Sequence, residues 1–380
     1  MADLKYKTAE LEDLIEISTY YGNNPDYTIA GGGNTSYKTD DRMWIKASGI
    51  PLAGITEKGF VCLSRQKLGR VDTAVYSEDR LTREAEVKRD LNEAIISPEN
   101  LRPSVETSLH NLISYAFVVH THPTLVNGLM CSRRAEQEVE ARFGTEALFV
   151  EYTDPGFSLF KKLQERIGIY LDRHGIIPRI IFIQNHGVFV AADTVSEIRS
   201  LYDSVDRRII QGGDLSWPGC HPEPFDSEIT RAIESHFTER GMTTGSIRCD
   251  LVDHFTESMD RFDQVSRPLA PDIIVYCKSS YIFMGRELDA DLAIAACEKF
   301  EEIHGYYPKV ILEENGGLIA VEEDPYSVEN VINVYTGMMK ISYLAGYFGG
   351  PHFLTGDQIR FIDDWEVENY RRKVAKEMGT

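Results

Sequence analysis

His120 and His122 close an apolar run, Phe117–Val119, whose composition is typical of a buried strand. Side chains alternate between the two faces of a strand, so these two histidines point to the same face. Two neutral imidazoles at this spacing can bind one cation, and zinc and its neighbouring transition metals accept such ligands. The alternative is a strand end whose histidines only face solvent, which is the commoner meaning of an isolated His-X-His.

A third histidine lies at an expected bend. The apolar segments 178–184 and 188–191 flank Asn185-His186-Gly187, which predicts two strands joined by a turn that presents His186. A ligand there could meet the first two. A buried histidine that serves only the turn is the alternative.

A carboxylate precedes His120 by 14 residues. Pro103-Ser104 suits the start of a helix, which we expect to run to about residue 116 with Glu106 in its first turn. Glu106 could serve only as a partner of the helix dipole, or it could project beside a metal. His110, one turn further along the same face, is interpreted as a structural histidine.

Two loops are rich in small residues and hydrogen-bond donors. Three consecutive glycines precede Asn34 and Ser36, and Ser48-Gly49 follows a short strand expected over 43–47. Glycines let backbone N–H groups converge on a phosphate without obstruction by Cβ atoms. A glycine-rich turn between a helix and a strand is the alternative for the first loop.

The spacing of apolar residues in the rest of the chain predicts the helices and strands that position these residues. We expect helices over 8–21, 83–96, 124–131 and 159–173, and further strands over 60–63, 147–152, 272–277 and 282–284.

A repeat links the two halves of the chain. Residues 171–190 and 301–320 align without a gap and share six identical positions. This self-similarity predicts a duplication, with a catalytic domain over 1–220 and a degenerate αβ domain with a C-terminal helix over 221–380. His186 corresponds to Gly316, so the second copy keeps the turn and loses the candidate ligand.

The composition limits the class of protein. The chain has 380 residues and a formal net charge of −20, which argues against nucleic-acid binding. The six cysteines form no Cys-X-X-Cys pair, and neither a signal peptide nor an apolar run of membrane-spanning length is evident. We therefore expect a soluble cytoplasmic protein without membrane or nucleic-acid partners.

The candidate motifs and their order along residues 20–210 resemble those of the class II aldolase/adducin superfamily. That resemblance implies a three-layer αβα fold with a mostly antiparallel central sheet. In the family, residues matching the three histidines bind zinc, and the residue matching Glu106 is an extra ligand and the catalytic acid/base. The residues that match the phosphate pocket are Gly33, Asn34, Ser48, Gly49 and Ser104.

The resemblance implies a function as well. We expect a homo-oligomer, a tetramer or dimer, that uses Zn²⁺ or another divalent transition metal to cleave a ketose 1-phosphate of the rhamnulose or fuculose type. The products would be dihydroxyacetone phosphate and an aldehyde such as lactaldehyde. A pentulose-phosphate 4-epimerase, a decarboxylase or dehydratase, and a non-catalytic adducin-like binding module remain alternatives. No lysine has a sequence context that favours the rival Schiff-base mechanism.

One departure and one narrower resemblance refine this comparison. Ser104-Val105-Glu106 replaces the Ser-Ser-Glu of the fuculose-phosphate enzymes, so one hydroxyl donor of the phosphate pocket is missing. Residues 349–351 and 360–371 are similar to the end of the aldolase half of bacterial enzymes that fuse a rhamnulose-phosphate aldolase to a dehydrogenase. No Gly-X-Gly-X-X-Gly signature is present, so we expect no dehydrogenase in this chain.

Overall fold

The computed structural model describes residues 9–211, 213 and 215–364. The chain forms two compact units: the first contains the residues up to 126 and residues 136–211, and the second contains residues 127–135 and those from 212 onwards. The boundary thus falls inside one helix, Thr124–Met130. The division into domains 1–220 and 221–380 stays a prediction. No helix in the described part of the chain is both long and apolar enough to cross a membrane.

The first unit is built on an eight-stranded sheet with the strand order β4-β3-β2-β1-β5-β8-β7-β6. Only β6 and β7 pair in parallel; the other neighbours pair antiparallel. The strands are β1 (Asn34–Lys38), β2 (Arg42–Lys46), β3 (Phe60–Ser64), β4 (Ile95–Ser97), β5 (Phe117–Thr121), β6 (Leu148–Val150), β7 (Ile180–Ile183) and β8 (Gly187–Ala192).

Helices cover both faces of this sheet. The helices in this part of the chain, of which α5 lies mostly in the second unit, are α1 (Ala9–Gly22), α2 (Arg65–Thr73), α3 (Arg80–Glu93), α4 (Thr107–Leu112), α5 (Thr124–Met130), α6 (Ala135–Phe143), α7 (Phe157–His174) and α8 (Val195–Ile210). One core joins α2, α3, α4 and α7 to one face, while α1 and α8 pack on β5 from the other. All five residues of β5 are therefore buried, as expected of a strand covered on both faces. The expected mixed fold with a mostly antiparallel central sheet is confirmed.

The helix expected from Pro103 to about residue 116 is shorter than predicted. Pro103 pairs with Ala47 in a β-bridge, and α4 begins only after the turn that follows. The C-terminal end of the expected helix does not form, because the carbonyl of Ala116 instead accepts a hydrogen bond from Lys38 N of β1 at 2.8 Å. Glu106 is consequently the N-cap residue of α4 and not a residue of its first turn.

The second unit contains a five-stranded sheet with the order β11-β12-β13-β10-β9. Its strands are β9 (Glu223–Pro224), β10 (Thr243–Arg248), β11 (Ile282–Met284), β12 (Val310–Glu313) and β13 (Leu318–Glu322). Its helices are α9 (Glu228–Glu239), α10 (Asp250–Thr256), α11 (Met259–Phe262), α12 (Pro271–Cys277), α13 (Ala290–His304), α14 (Pro325–Ala345) and α15 (Gly356–Asp364).

The strand expected over 272–277 is wrong, because this segment is the helix α12. A short apolar run cannot distinguish a buried helix from a buried strand by its pattern alone. Pro271 at the first helical position decides the outcome, since its fixed φ suits a helix start. Of the C-terminal segment compared with the fusion enzymes, residues 365–371 lie outside the described residues.

The repeated sequence forms the same local structure in both units. In each, a helix ends at a left-handed glycine, Gly175 (φ 72°) or Gly305 (φ 73°), and an antiparallel strand pair follows. Asn185 and Asn315 have nearly equal positive φ angles of 53° and 55° in the connecting turns. The first strand of each pair also has a parallel neighbour, β6 or β11. These matches support the duplication, which we keep as a proposal.

Candidate metal centre

Three histidines and a carboxylate converge from three segments of the first unit. His120 lies on β5, and His122 follows the end of that strand. His186 lies in the turn between β7 and β8, and Glu106 precedes α4. Because β8 pairs with β5 and places Phe189 opposite His120, the turn meets the strand at the end that carries the histidines.

The side-chain atoms are close enough to share one ion. The Nε2 atoms of His120 and His122 are 2.9 Å apart. Glu106 places Oε2 3.5 Å from His120 Nε2 and Oε1 3.4 Å from His186 Nε2. One ligand atom from each histidine lies within 4.8 Å of the others. Tetrahedral zinc ligands, each about 2.0–2.1 Å from the ion, are about 3.4 Å apart, so the three imidazoles can hold a metal ion.

The turn that carries His186 requires a glycine beside it. A Cβ atom on Gly187 would come within 2.5 Å of the carbonyl oxygen of Thr121 and 2.7 Å of the His122 ring. A larger residue would push the turn away from β5 and separate His186 from the other histidines. The sequence predicted the turn, but this close approach is visible only in the fold.

His120 is held in one tautomer. Its ring is fully buried and stacks on Phe189 with centroids 4.0 Å apart. Nδ1 lies 3.0 Å from the carbonyl oxygen of Val188, which can only accept, so Nδ1 donates and the Nε2 lone pair faces the other histidines. Burial lowers the pKa of His120 well below its usual value, although Glu106 raises it. The ring is therefore neutral, which is the form that binds metals.

Glu106 is a buried carboxylate with one uncommitted oxygen. Its Oε2 accepts a hydrogen bond from Asn34 Nδ2 at 2.6 Å, whereas Oε1 accepts none from any described residue. Burial raises the pKa of Glu106, but attraction to His120 and His186 and the Asn34 hydrogen bond outweigh it and lower the pKa to about 2. A buried anionic oxygen without a donor carries a large desolvation cost, which a cation would offset.

Asn34 and His110 fix the orientation of Glu106. Because Asn34 Nδ2 donates to Glu106, its Oδ1 faces His110 and accepts a short hydrogen bond from His110 Nε2. His110 Nδ1 then accepts from the Ser36 hydroxyl at 2.7 Å. Burial and the neighbouring Lys38 lower the pKa of His110 to about 3, so the ring is neutral. These contacts agree with the interpretation of His110 as structural.

The residues predicted to bind phosphate lie around this network. Gly33 (φ 72°) lies against the end of β5, because a Cβ atom there would be 2.8 Å from the His120 carbonyl oxygen. Ser48 N donates to the carbonyl of Arg102 at 2.8 Å, which brings Ser48-Gly49 beside the segment of Ser104. Ser104 Oγ accepts from Glu106 N at 3.3 Å. The phosphate-binding role of these residues, and of Asn34, stays a prediction.

Lys46 was missed by the sequence reasoning. Its side chain is buried, and Nζ donates to the carbonyls of Ile50, at 2.6 Å, and Gly31, at 3.4 Å. The ammonium group thus joins the triple-glycine loop to the Ser48-Gly49 loop. A charged residue at the end of a short apolar strand was the available signal, since lysine is almost never fully buried without partners.

A sheet covered by helices on both faces, with a three-histidine and glutamate cluster at one strand end, defines an αβ protein whose histidines could hold a metal ion. The family model described as "Class II Aldolase and Adducin N-terminal domain" matches residues 12–209. The chain belongs to this family, as the order of its motifs predicted.

One curated relative and two solved structures are similar to part of the chain. The chain is 30% identical over 233 residues to "Uncharacterized oxidoreductase YuxG" of Bacillus subtilis (strain 168), covering 57% of this chain and 32% of that protein. The chain therefore spans about a third of the length of that relative.

Both solved structures resemble only part of the chain. The N-terminal class II aldolase domain of a conserved Thermoplasma acidophilum protein is 23% identical, with a TM-score of 0.45, over 55% of this chain and 95% of that one. An L-fuculose 1-phosphate aldolase is 19% identical, with a TM-score of 0.37, over 53% and 84%.

Proposed function

We propose that the protein is a zinc-dependent aldolase that reversibly cleaves a ketose 1-phosphate into dihydroxyacetone phosphate and a small aldehyde. The observation that carries this proposal is the convergence of three imidazoles beside the buried carboxylate of Glu106, whose Oε1 accepts no hydrogen bond from a described residue. His120, His122 and His186 would hold the ion, and Glu106 would lie beside it. Zinc, when bound there, would act as a Lewis acid on the substrate carbonyl.

Glu106 has the position required of a proton carrier. Its carboxylate faces the space bounded by the three histidines, and Asn34 holds Oε2 so that Oε1 keeps a fixed direction. A carboxylate so placed would take the proton from the hydroxyl whose carbon is cleaved, or return one to the carbon next to the carbonyl. Catalysis depends first on this geometry and then on the pKa of the group.

The phosphate would lie against the two loops joined by Lys46. Gly33 and Ser48-Gly49 supply backbone and hydroxyl groups, and Lys46 adds a positive charge to a chain of net charge −20. Binding energy from a phosphate remote from the cleaved bond would orient the ketose. Val105 replaces a serine of the fuculose-phosphate pattern, so one hydroxyl donor to the phosphate is missing. The charge of Lys46 would compensate for this lost hydrogen bond.

Metal content and product analysis test this proposal. We expect about one zinc per chain by elemental analysis, loss of activity with a chelator and recovery with zinc. A panel of ketose 1-phosphates, assayed for dihydroxyacetone phosphate, identifies the sugar. Active protein that is metal-free and resistant to chelators would overturn the mechanism. Interconversion of pentulose phosphates without release of an aldehyde would identify an epimerase instead.

A further inference from the structure

Two cysteines of the second unit are in direct contact. The Sγ atoms of Cys220 and Cys249 are 2.9 Å apart, although the residues are separated by 29 positions in the sequence. A disulfide bond is about 2.05 Å long, so the sulfurs would need to approach by less than about 1 Å to form one. This contact lies outside the metal centre and has no part in the proposed reaction.

The backbone on both sides of Cys220 is fixed to the backbone on both sides of Cys249. Before Cys220, the carbonyl of Gly219 accepts a hydrogen bond from Leu251 N at 3.1 Å. After it, β9 pairs antiparallel with β10 and places Glu223 opposite Arg248. The two thiols therefore meet because two antiparallel segments hold them there, and a bond between them requires little movement of the main chain.

Cys249 is the more acidic of the two thiols. Contact with Cys220 and the backbone N–H groups of Val252 and Leu251 lower its pKa to about 7, although burial raises it. The pKa of Cys220 is raised, chiefly by its contact with Cys249. Cys220 is only half-buried, which gives a small oxidant a route to the pair.

The other four cysteines differ from this pair. Cys62, Cys131, Cys277 and Cys297 are buried, as Cys249 is, but at these four the net effect of burial is a raised pKa of the thiol. At Cys62 and Cys297 the values reach about 11 and 12. Buried thiols of this kind react slowly, so they serve as internal controls.

We propose that Cys220 and Cys249 form a reversible oxidative modification site, in which hydrogen peroxide converts the dithiol to an intramolecular disulfide. The Cys249 thiolate attacks one peroxide oxygen, the O–O bond breaks, and the departing hydroxide takes a proton to become water. Cys249 is then a sulfenic acid. The Cys220 sulfur attacks the Cys249 sulfur, the S–O bond breaks, and the hydroxide leaves with the Cys220 proton as a second water.

The bond would tie the segment before β9 to the start of α10. Those two segments already share the hydrogen bonds of Gly219 and of β9, so oxidation would convert a non-covalent attachment into a covalent one. A thiol reductant would restore the dithiol by exchange. This proposal does not depend on the proposed aldolase function, and its test uses no activity measurement.

Thiol counting on the full-length protein tests the proposal. The reduced protein is treated with a small excess of hydrogen peroxide, alkylated and measured by intact mass and tryptic mapping. We expect six alkylated thiols before oxidation and four after it, with a cross-link between the peptides 209–231 and 249–261 that dithiothreitol removes. Oxidation should also raise the thermal midpoint. Six thiols after oxidation, or a cross-link between other cysteines, would overturn the assignment.

Single variants separate the two sulfurs. In Cys220→Ser, the sulfenic acid of Cys249 should persist and react with dimedone, because the resolving thiol is gone. Cys249→Ser should form no cross-link, because the sulfur in contact with Cys220 is gone. Cys62→Ser is the matched control and should form the cross-link as the unchanged chain does. A cross-link of Cys220 that persists in Cys249→Ser would show that Cys249 is not its partner.

Discussion

The end of β5 in the first unit and the end of β10 in the second unit have the same strand architecture and different chemistry. Thr121 pairs with Val188, and Ile247 pairs with Leu318, the residue that the repeat aligns with Val188. A Cβ atom on Gly187 would meet the Thr121 carbonyl at 2.5 Å, and one on Gly317 would meet the Ile247 carbonyl at 2.6 Å.

This register gives each of the three candidate histidine ligands a counterpart in the second unit. His120 corresponds to Ser246, His122 to Arg248 and His186 to Gly316. Ser246 donates to the carbonyl of Phe225 at 2.6 Å, and Arg248 forms an ion pair with Asp253 at 2.7 Å.

Phe225 takes the space that the histidine rings use in the first unit. Its ring carbons lie 2.5 and 2.7 Å from the position of a Cβ atom on Gly317, where the first unit has the His122 ring. The comparison shows that the backbone does not require the histidines. The close turn, the glycine and the strand register persist without them, so the fold alone does not account for the three histidines of the first unit.

The largest expected effect comes from His186→Gly. This substitution gives the turn between β7 and β8 the glycine that the second unit has at the aligned position, Gly316. Removal of a ligand should weaken zinc binding by more than the roughly 10–100-fold that loss of an outer-shell partner costs, and turnover should fall below detection. Zinc content by elemental analysis and circular dichroism of the variant check this. Full zinc content would remove His186 from the ligand set. His304→Ala, a change at an exposed histidine, is the control.

Glu106→Gln separates metal binding from proton transfer. We expect zinc to be retained by the histidines, while kcat falls by about 10²–10⁴-fold, the usual contribution of a general acid–base. The amide oxygen can still accept the Asn34 hydrogen bond, so the fold should be unaffected. Steady-state kinetics with zinc-loaded protein measure the effect. A kcat within threefold of the unchanged enzyme would contradict the role of Glu106.

Lys46→Met tests the positive charge between the two loops. Lys46 lies on β2, and the described part of the second unit has no strand equivalent to β2. A hydrogen bond to a charged group contributes about 1.5–3 kcal/mol, so KM for the ketose 1-phosphate should rise about tenfold or more with a smaller change in kcat. Lys38→Met removes another buried lysine and should leave KM unchanged. An unchanged KM in Lys46→Met would place the phosphate elsewhere.

The smallest effect on metal binding is expected from the converse substitution, Gly316→His. A Cβ atom there would come within 2.8 Å of the Cβ atom of Glu313, which is fixed to the backbone, so the turn must shift and the free energy of unfolding should fall by roughly 1–3 kcal/mol, the usual cost of overpacking. Since Ser246 and Arg248 stand where two ligands would be needed, zinc content should not increase. A second equivalent of zinc would show that the second unit is closer to a working site than its register indicates.

The sequence was a good guide where spacing and chain order carry the information. The alternation of β5 placed His120 and His122 together, and motif order identified the family. It failed where packing decides. The buried run 272–277 became a helix, and the helix at Glu106 lost its far end because the sheet uses Ala116. The hydrogen bonds of Asn34 and Lys46, and the contact of Cys220 with Cys249, join segments that no local pattern connects.

The helix α5 has a practical consequence for anyone who wishes to separate the two halves. It begins two residues after His122, yet from residue 127 onwards it belongs to the second unit, where Gly128 packs against Leu344. A gene cut at residue 220 would therefore leave the histidine pair joined to a helix whose own partners had been deleted. The candidate metal centre should therefore be expressed and purified together with the second unit, as a single chain.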